Sequence, residues 1–227
     1  EKLALFILKE YMKQKLNDRQ PTPIVFDFDY TLFDYKNKET SEENLTLLKK
    51  VSHKYETYIV SGNSFEHIAK AFGGSETMDI AFTYTDNGMI EAGGFTREEY
   101  IIKDEEQKII EKLLENTKYE KISCGESALL YRIKNVYEGR DIEIQELNKK
   151  LPIGLKAFQR GVASVEIHKE FVTKLDYISK EIDLTNCLYL GDENLGNDEI
   201  FFRLYNCIKI SDIRVTNAFL KALDELK

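Results

Sequence analysis

Short apolar runs alternate with longer segments of helical periodicity, and this alternation limits the chain to very few architectures. Ile24-Val25-Phe26 is followed by Glu42 to His53, in which Leu45, Leu48 and Val51 share one helical face. Tyr58-Ile59-Val60 is followed by a helical pattern over Phe65 to Phe72, and Ile80 to Tyr84 forms a third strand candidate. Cys187 to Leu190 and Cys207 to Ile210 repeat the pattern near the C-terminus. Strands this short and apolar bury both faces, and helices between them supply the crossovers of a parallel sheet. The predicted fold class is α/β: a doubly wound, Rossmann-like parallel sheet.

The middle of the chain has a different rhythm. Phe95 to Ile102, Leu129 to Ile133 and Val162 to His168 read as strands, while Asp104 to Asn116 and Asp141 to Leu151 read as helices. This pattern predicts an α+β insert. The expected organisation is a helical extension over 1–20, a core over 21–86 and 170–227, and an inserted α+β domain over 87–169. The extension rests on Leu3, Phe6, Ile7 and Tyr11 at helical spacing, with Pro21 and Pro23 ending the pattern.

Composition excludes several classes of function. A chain of 227 residues with 42% hydrophobic content can bury a core, so it does not read as a disordered tail. Forty acidic against thirty-two basic residues argue against binding nucleic acid or an anionic membrane by bulk charge. The apolar stretch Leu3 to Leu8 is too short to span a bilayer and lacks a small-residue cleavage site. Cys124, Cys187 and Cys207 are widely spaced, without a CxxC pair, and read as reduced thiols. The expectation is a cytoplasmic monomer or homodimer whose partner is a small molecule.

The sharpest local signal is Asp27-Phe28-Asp29 at the end of the first apolar run. Strand alternation would send both carboxylates to one side, at the sheet edge where ligands bind. One could then attack an electrophile while its neighbour handles the proton. Turn or helix-capping aspartates are the competing reading. Ser61-Gly62-Asn63 places a hydroxyl and a glycine at a strand-to-helix junction suited to a phosphate oxygen, although Ser-Gly also marks ordinary turns. Lys174 opens a helical segment and is either a phosphoryl-binding cation or a solvated surface lysine. Gly191-Asp192 through Asn197-Asp198 ends another apolar run in carboxylates, a hard oxygen set suited to Mg²⁺ or else an acidic surface turn.

Taken in order, Asp27-x-Asp29-x-Thr31, Ser61-Gly62, Lys174 and Gly191-Asp192 with Asn197-Asp198 resemble the four motifs of the haloacid dehalogenase superfamily. The long insert is similar to the larger caps of phosphomannomutase, trehalose-phosphate phosphatase and sucrose-phosphatase. Ser64-Phe65-Glu66-His67-Ile68, Thr85-Asp86-Asn87-Gly88-Met89-Ile90 and the stretch from Gly154-Leu155-Lys156 to Glu166 resemble phosphomannomutase in particular.

That resemblance implies an aspartyl-phosphate mechanism. It makes Asp27 the nucleophile, Asp29 the general acid and base, and Ser61 and Lys174 the holders of the transferring phosphoryl group. It assigns Mg²⁺ to Asp27, the carbonyl of Asp29, Asp192 and Asp198, with Asp198 alternatively orienting Lys174 or a metal-bound water. Thr31, Gly62, Asn63, Arg160, Ser164 and Glu166 are the expected substrate-binding residues. A mobile cap would close over the site and exclude bulk water.

The sequence also departs from the pattern. Tyr30 stands where the superfamily usually has Gly, and Asp192 and Asp198 have a spacing between the phosphatase and mutase values. Gly125 and Lys36 occupy places where a mutase would carry arginines. A mutase must grip a substrate with two phosphates, which needs a strongly basic cap. Arg97, Arg132, Arg140 and Arg160 supply only part of one. The expected activity is therefore Mg²⁺-dependent hydrolysis of a small sugar phosphate or polyol phosphate. A sugar phosphomutase is the alternative, and a noncatalytic binding domain is the alternative from another class.

Overall fold

The computed structural model describes residues 6, 10, 22–63, 65–74, 83–85, 90–91, 98–124, 127–133, 140–160, 164–170, 178–179, 182–192 and 207–225. Along the chain run β1 (Ile24–Phe26), α1 (Lys38–Ser52), β2 (Thr57–Val60), α2 (Phe65–Ala71), β3 (Thr83–Thr85), β4 (Ile90–Glu91), α3 (Asp104–Leu114) and β5 (Tyr119–Cys124). They continue with β6 (Leu129–Ile133), α4 (Arg140–Asn148), β7 (Leu155–Arg160), β8 (Ser164–Lys169), β9 (Leu188–Gly191), β10 (Cys207–Lys209) and α5 (Ile213–Glu225). The chain divides into two compact units, Glu1–Gly93 with Lys174–Lys227, and Gly94–Thr173.

The first unit is built on a six-stranded sheet in the order β10-β9-β1-β2-β3-β4. Every pairing from β10 to β3 is parallel, and only β4 runs antiparallel, against β3. The chain leaves β1 toward β2 and β3 on one side and returns through β9 and β10 on the other. The strand order therefore reverses between β1 and β9, and such a switch point opens a crevice at the carboxyl ends of the strands. All three residues of β1 are buried, as a central strand covered on both faces requires.

The core around this sheet gathers Leu45, Leu48 and Val51 of α1, Ile68 of α2, and Phe219, Leu220 and Leu223 of α5. Phe219 packs its ring 6.3 Å from that of Phe26. At the surface between α1 and α5, Glu43 accepts from Asn217 at 2.9 Å and pairs with Lys221 at 2.8 Å. Exposed pairs of this kind contribute little beside the buried apolar area.

The second unit carries a four-stranded antiparallel sheet in the order β5-β6-β8-β7. Val165 and Ile167 of β8 face a core with Leu129, Tyr131, Leu155 and Ala157 and with Ile110, Leu114, Ile144 and Leu147 of α3 and α4. The strand period of two sends Ser164, Glu166 and His168 to the opposite face. In register, Arg132 and Arg160 flank Ser164, and Leu130 and Phe158 flank Glu166.

One predicted strand is corrected. Glu98–Tyr100 forms a single 3₁₀ turn, and the backbone over 101–103 is irregular before α3 begins. Tyr100 and Ile102 are both buried, so their alternation mimics a strand while the chain turns. Of the predicted N-terminal helix, Phe6 and Glu10 are helical, and the rest of 1–20 lies outside the described residues. Among the described residues no helix is long and apolar enough to cross a membrane.

Candidate active site

The register of the parallel sheet places the candidate residues. Phe26 lies opposite Ile59 on β2 and Leu190 on β9. The ladder continues one residue further, because the Asp27 N–H donates to the Leu190 carbonyl at 2.8 Å. Asp27 after β1, Ser61 after β2 and Asp192 after β9 thus stand at the carboxyl ends of three adjacent strands, at the switch point. Asp27 and Ser61 are buried, and Asp29 and Asp192 are half-buried.

The segment after Asp27 is a tight loop. The N–H groups of Leu32 and Phe33 both donate to the Phe28 carbonyl, at 2.9 and 3.0 Å, and the Tyr30 N–H donates to the Phe33 carbonyl at 2.7 Å. Tyr30 adopts φ +55°, in the left-handed region where a side chain is disfavoured. Glycine would meet that backbone demand without the penalty. Thr31 is fully buried, and its hydroxyl has no hydrogen-bond partner among the described residues.

Helix α1 fastens this loop from below. Asn44, fully buried, donates to the Leu32 carbonyl at 3.2 Å and to the Ile213 carbonyl at 3.3 Å. The Ser41 hydroxyl accepts from the Asp34 N–H at 2.8 Å and lies 3.0 Å from the carbonyls of Asp34 and Asn37. The Asp34 carboxylate caps the turn Tyr35–Asn37 by accepting from the Lys36 N–H at 2.9 Å and from Asn37 Nδ2 at 2.5 Å. Backbone groups that burial would otherwise strand are satisfied in this way.

The junction after β2 reaches back to the same loop. Ser61 Oγ accepts from the Asn63 N–H at 3.0 Å, which fixes a short side-chain turn. Asn63 Nδ2 donates to Asp29 Oδ2 at 2.5 Å. Beside them, Phe28 and Phe33 stack with centroids 5.7 Å apart, Tyr35 meets Phe33 edge-on at 5.0 Å, and the Tyr35 hydroxyl is 2.6 Å from His67 Nε2.

Of the residues predicted from sequence, Asp27, Asp29, Thr31, Ser61, Gly62, Asn63 and Asp192 are brought together on the first unit. Ser164 and Glu166 lie two apart on β8 of the second unit, with Arg160 opposite Ser164 in register. Lys174 and Asp198, together with Glu193, lie outside the described residues. Glu166 is buried, and so is His168, whose ring stacks on Phe158 at 4.2 Å. Burial pushes the His168 imidazole below its ordinary pKa against the opposing pull of Glu166 and the Lys169 carbonyl. Burial, with the neighbouring Cys207, pushes the Cys187 thiol up to about 11, so it is not a nucleophile at neutral pH.

Sequence reasoning passed over Asn44 and Ser41, although both occupy the helical stripe of Leu48 and Val51, where a polar residue signals a buried hydrogen bond. Among the described residues no three His, Cys, Asp or Glu side chains converge as a metal cage. The donors at the sheet edge, the Asp27 and Asp192 carboxylates and the Asp29 carbonyl, are nevertheless hard oxygens. They fit Mg²⁺, which takes few protein carboxylates and retains water.

Carboxylates at the switch point of a parallel sheet, where α/β folds bind ligands, mark the candidate site. The sequence profile of the haloacid dehalogenase-like hydrolases matches residues 24–216, and the chain belongs to that family. No curated protein sequence matches the chain. Among solved structures it is similar to the C-terminal domain of trehalose-6-phosphate phosphatase from C. albicans, at 14% identity and TM-score 0.72, covering 98% of this chain and 97% of that one. A HAD/COF-like hydrolase from Plasmodium vivax aligns at 21% identity and TM-score 0.68, over 91% of this chain and 96% of its own. The sucrose-phosphatase from Synechocystis sp. PCC6803, solved with sucrose and phosphate, aligns at 15% and 0.61, over 83% and 82%. At these identities the likeness is one of fold.

Proposed function

We propose that the protein is a Mg²⁺-dependent phosphatase acting on a small sugar phosphate or polyol phosphate through a phosphorylated Asp27. The observation that carries this reading is the pair at the end of β1: Asp27 buried at the switch point, and Asp29 held two residues on by Asn63. An Asp27 oxygen attacks phosphorus in line, and the bond to the leaving oxygen breaks as the new bond forms. Asp29 gives that oxygen its proton. Asp29 then removes a proton from a water molecule, the water oxygen attacks phosphorus, and inorganic phosphate leaves with Asp27 restored. Ser61 and Lys174 hold the phosphoryl oxygens, supported by the backbone of Gly62 and the hydroxyl of Thr31.

Asp27, the Asp29 carbonyl, Asp192 and Asp198 would hold Mg²⁺, which when bound offsets the repulsion between a carboxylate and a phosphate dianion. Arg160, Ser164 and Glu166 would serve as the donors and acceptors for substrate hydroxyls. The free thiols of Cys187, just before β9, and Cys207, on the adjacent β10, support a cytoplasmic setting. The test is inorganic phosphate release from hexose, pentose, polyol and disaccharide phosphates, with Mg²⁺ or with EDTA. Release abolished by EDTA supports the reading, and release indifferent to EDTA contradicts its metal dependence.

A further inference from the structure

Two exposed tyrosines follow Asp29 in the loop after β1. Tyr30 is 57% exposed and Tyr35 is 65% exposed. Isolated exposed aromatics are ordinary. Tyr35, however, is held at three points. Its backbone begins a turn capped by Asp34, its ring edge meets Phe33 at 5.0 Å, and its hydroxyl lies 2.6 Å from His67 Nε2. Phe33 in turn stacks on the buried Phe28, whose ring also meets His67 edge-on at 6.4 Å.

This stack is tied to the carboxylate pair through the backbone and through one connecting segment. Phe28 separates Asp27 from Asp29, and Phe33 bridges to Asp29. Asn63 binds Asp29, and His67, four residues further on, binds Tyr35. Burial first, and then the Asp29 charge, raise the Tyr35 phenol above its ordinary pKa, which places Tyr35 within the field of Asp29.

We infer that Tyr35, held by His67, is the surface on which the ring of the leaving group rests, so that the enzyme selects phosphate esters of furanose or pyranose rings over acyclic ones. This inference rests on the phosphatase reading and narrows its substrate class. A sugar ring offers a C–H face to the aromatic π-cloud and hydroxyls to the polar rim, a combination a preorganised tyrosine matches. An acyclic polyol phosphate has no such face and loses more rotational freedom on binding.

The test compares kcat/KM for glucose 6-phosphate, adenosine 5′-monophosphate and glycerol 3-phosphate in wild type, Tyr35→Phe, Tyr35→Ala and His67→Gln, each checked for folding by circular dichroism. The wild type is expected to prefer the ring substrates, and Tyr35→Ala to reduce the ring-to-acyclic ratio about tenfold, the scale of one aromatic contact. Tyr35→Phe keeps the ring but loses the bond to His67, so Tyr35→Phe and His67→Gln should each lower the ratio, by less than Tyr35→Ala. A ratio unchanged in both would remove His67 from the inference. The first two substrates separate a bare sugar from a nucleoside as the source of the ring. Calorimetric binding of the same esters to Asp27→Asn, with and without Tyr35→Ala, needs no turnover. Ring-selective binding that depends on Tyr35, without phosphate release by the wild type, would sink the phosphatase reading and leave the platform standing. A wild type with no ring preference in rate or binding, or a ratio unchanged in Tyr35→Ala, overturns the inference.

Discussion

Asn63 donates its side-chain amide to Asp29 Oδ2 at 2.5 Å, while its backbone N–H is held by Ser61 Oγ at 3.0 Å. One residue therefore joins the end of β2 to the second carboxylate of the β1 loop. A hydrogen bond to one carboxyl oxygen restricts the orientation of the whole group. In the proposed mechanism Asp29 moves a proton twice, so its orientation matters in both steps.

Asn63→Ala is expected to lower kcat about tenfold or more through misplacement of Asp29, within the range general acid–base catalysis contributes. KM should change less than kcat. Steady-state kinetics on the best substrate provide the check, and an unchanged kcat would remove Asn63 from the positioning of Asp29.

Asn44 is the clamp beneath the loop, joining the carbonyls of Leu32 and Ile213. Asn44→Ala leaves both buried carbonyls without that partner and should cost about 1–3 kcal/mol. Urea unfolding measures it. A midpoint equal to wild type would mean that the two bonds contribute nothing net.

Tyr30 pays a conformational penalty at φ +55°. Tyr30→Gly is expected to stabilise the fold by about 0.5–1 kcal/mol, the left-handed strain relieved less the extra backbone entropy of glycine. A lowered melting temperature would show that contacts of the Tyr30 ring outweigh the strain.

His168 carries a pH signature. Its folded pKa lies below the ordinary 6.5 because burial disfavours the imidazolium. The unfolded chain therefore binds the proton more readily, so stability rises with pH toward neutrality and falls as pH drops below 6.5 toward the folded pKa. Urea midpoints measured between pH 7 and pH 5 should decline less in His168→Gln than in wild type. Parallel declines would contradict the assignment.

Much of the first unit was legible because its strands are unbroken apolar runs, a signal that survives without tertiary context. Ile24–Phe26, Thr57–Val60 and Leu188–Gly191 all read this way, and the carboxylates that follow two of them mark the ligand edge. Where polar residues are mixed into the buried set, the signal fades. β7 mixes the buried Leu155 and Ala157 with Lys156, Gln159 and Arg160, and only pairing with β8 makes it a strand. The run to Ile102 misled for the opposite reason, since two buried residues at even spacing look the same in a strand and in a turn feeding a helix. The contact between Tyr35 and His67 spans thirty-two positions, and no local pattern encodes it.

The central claim is that Asp27 becomes phosphorylated. The most direct measurement is hydroxylamine trapping during turnover with Mg²⁺ and a sugar phosphate, followed by peptide mass spectrometry. A hydroxamate at Asp27, dependent on substrate and absent from Asp27→Asn, is the expected result. Phosphate release without modification at Asp27, or a hydroxamate at another residue, would contradict the account.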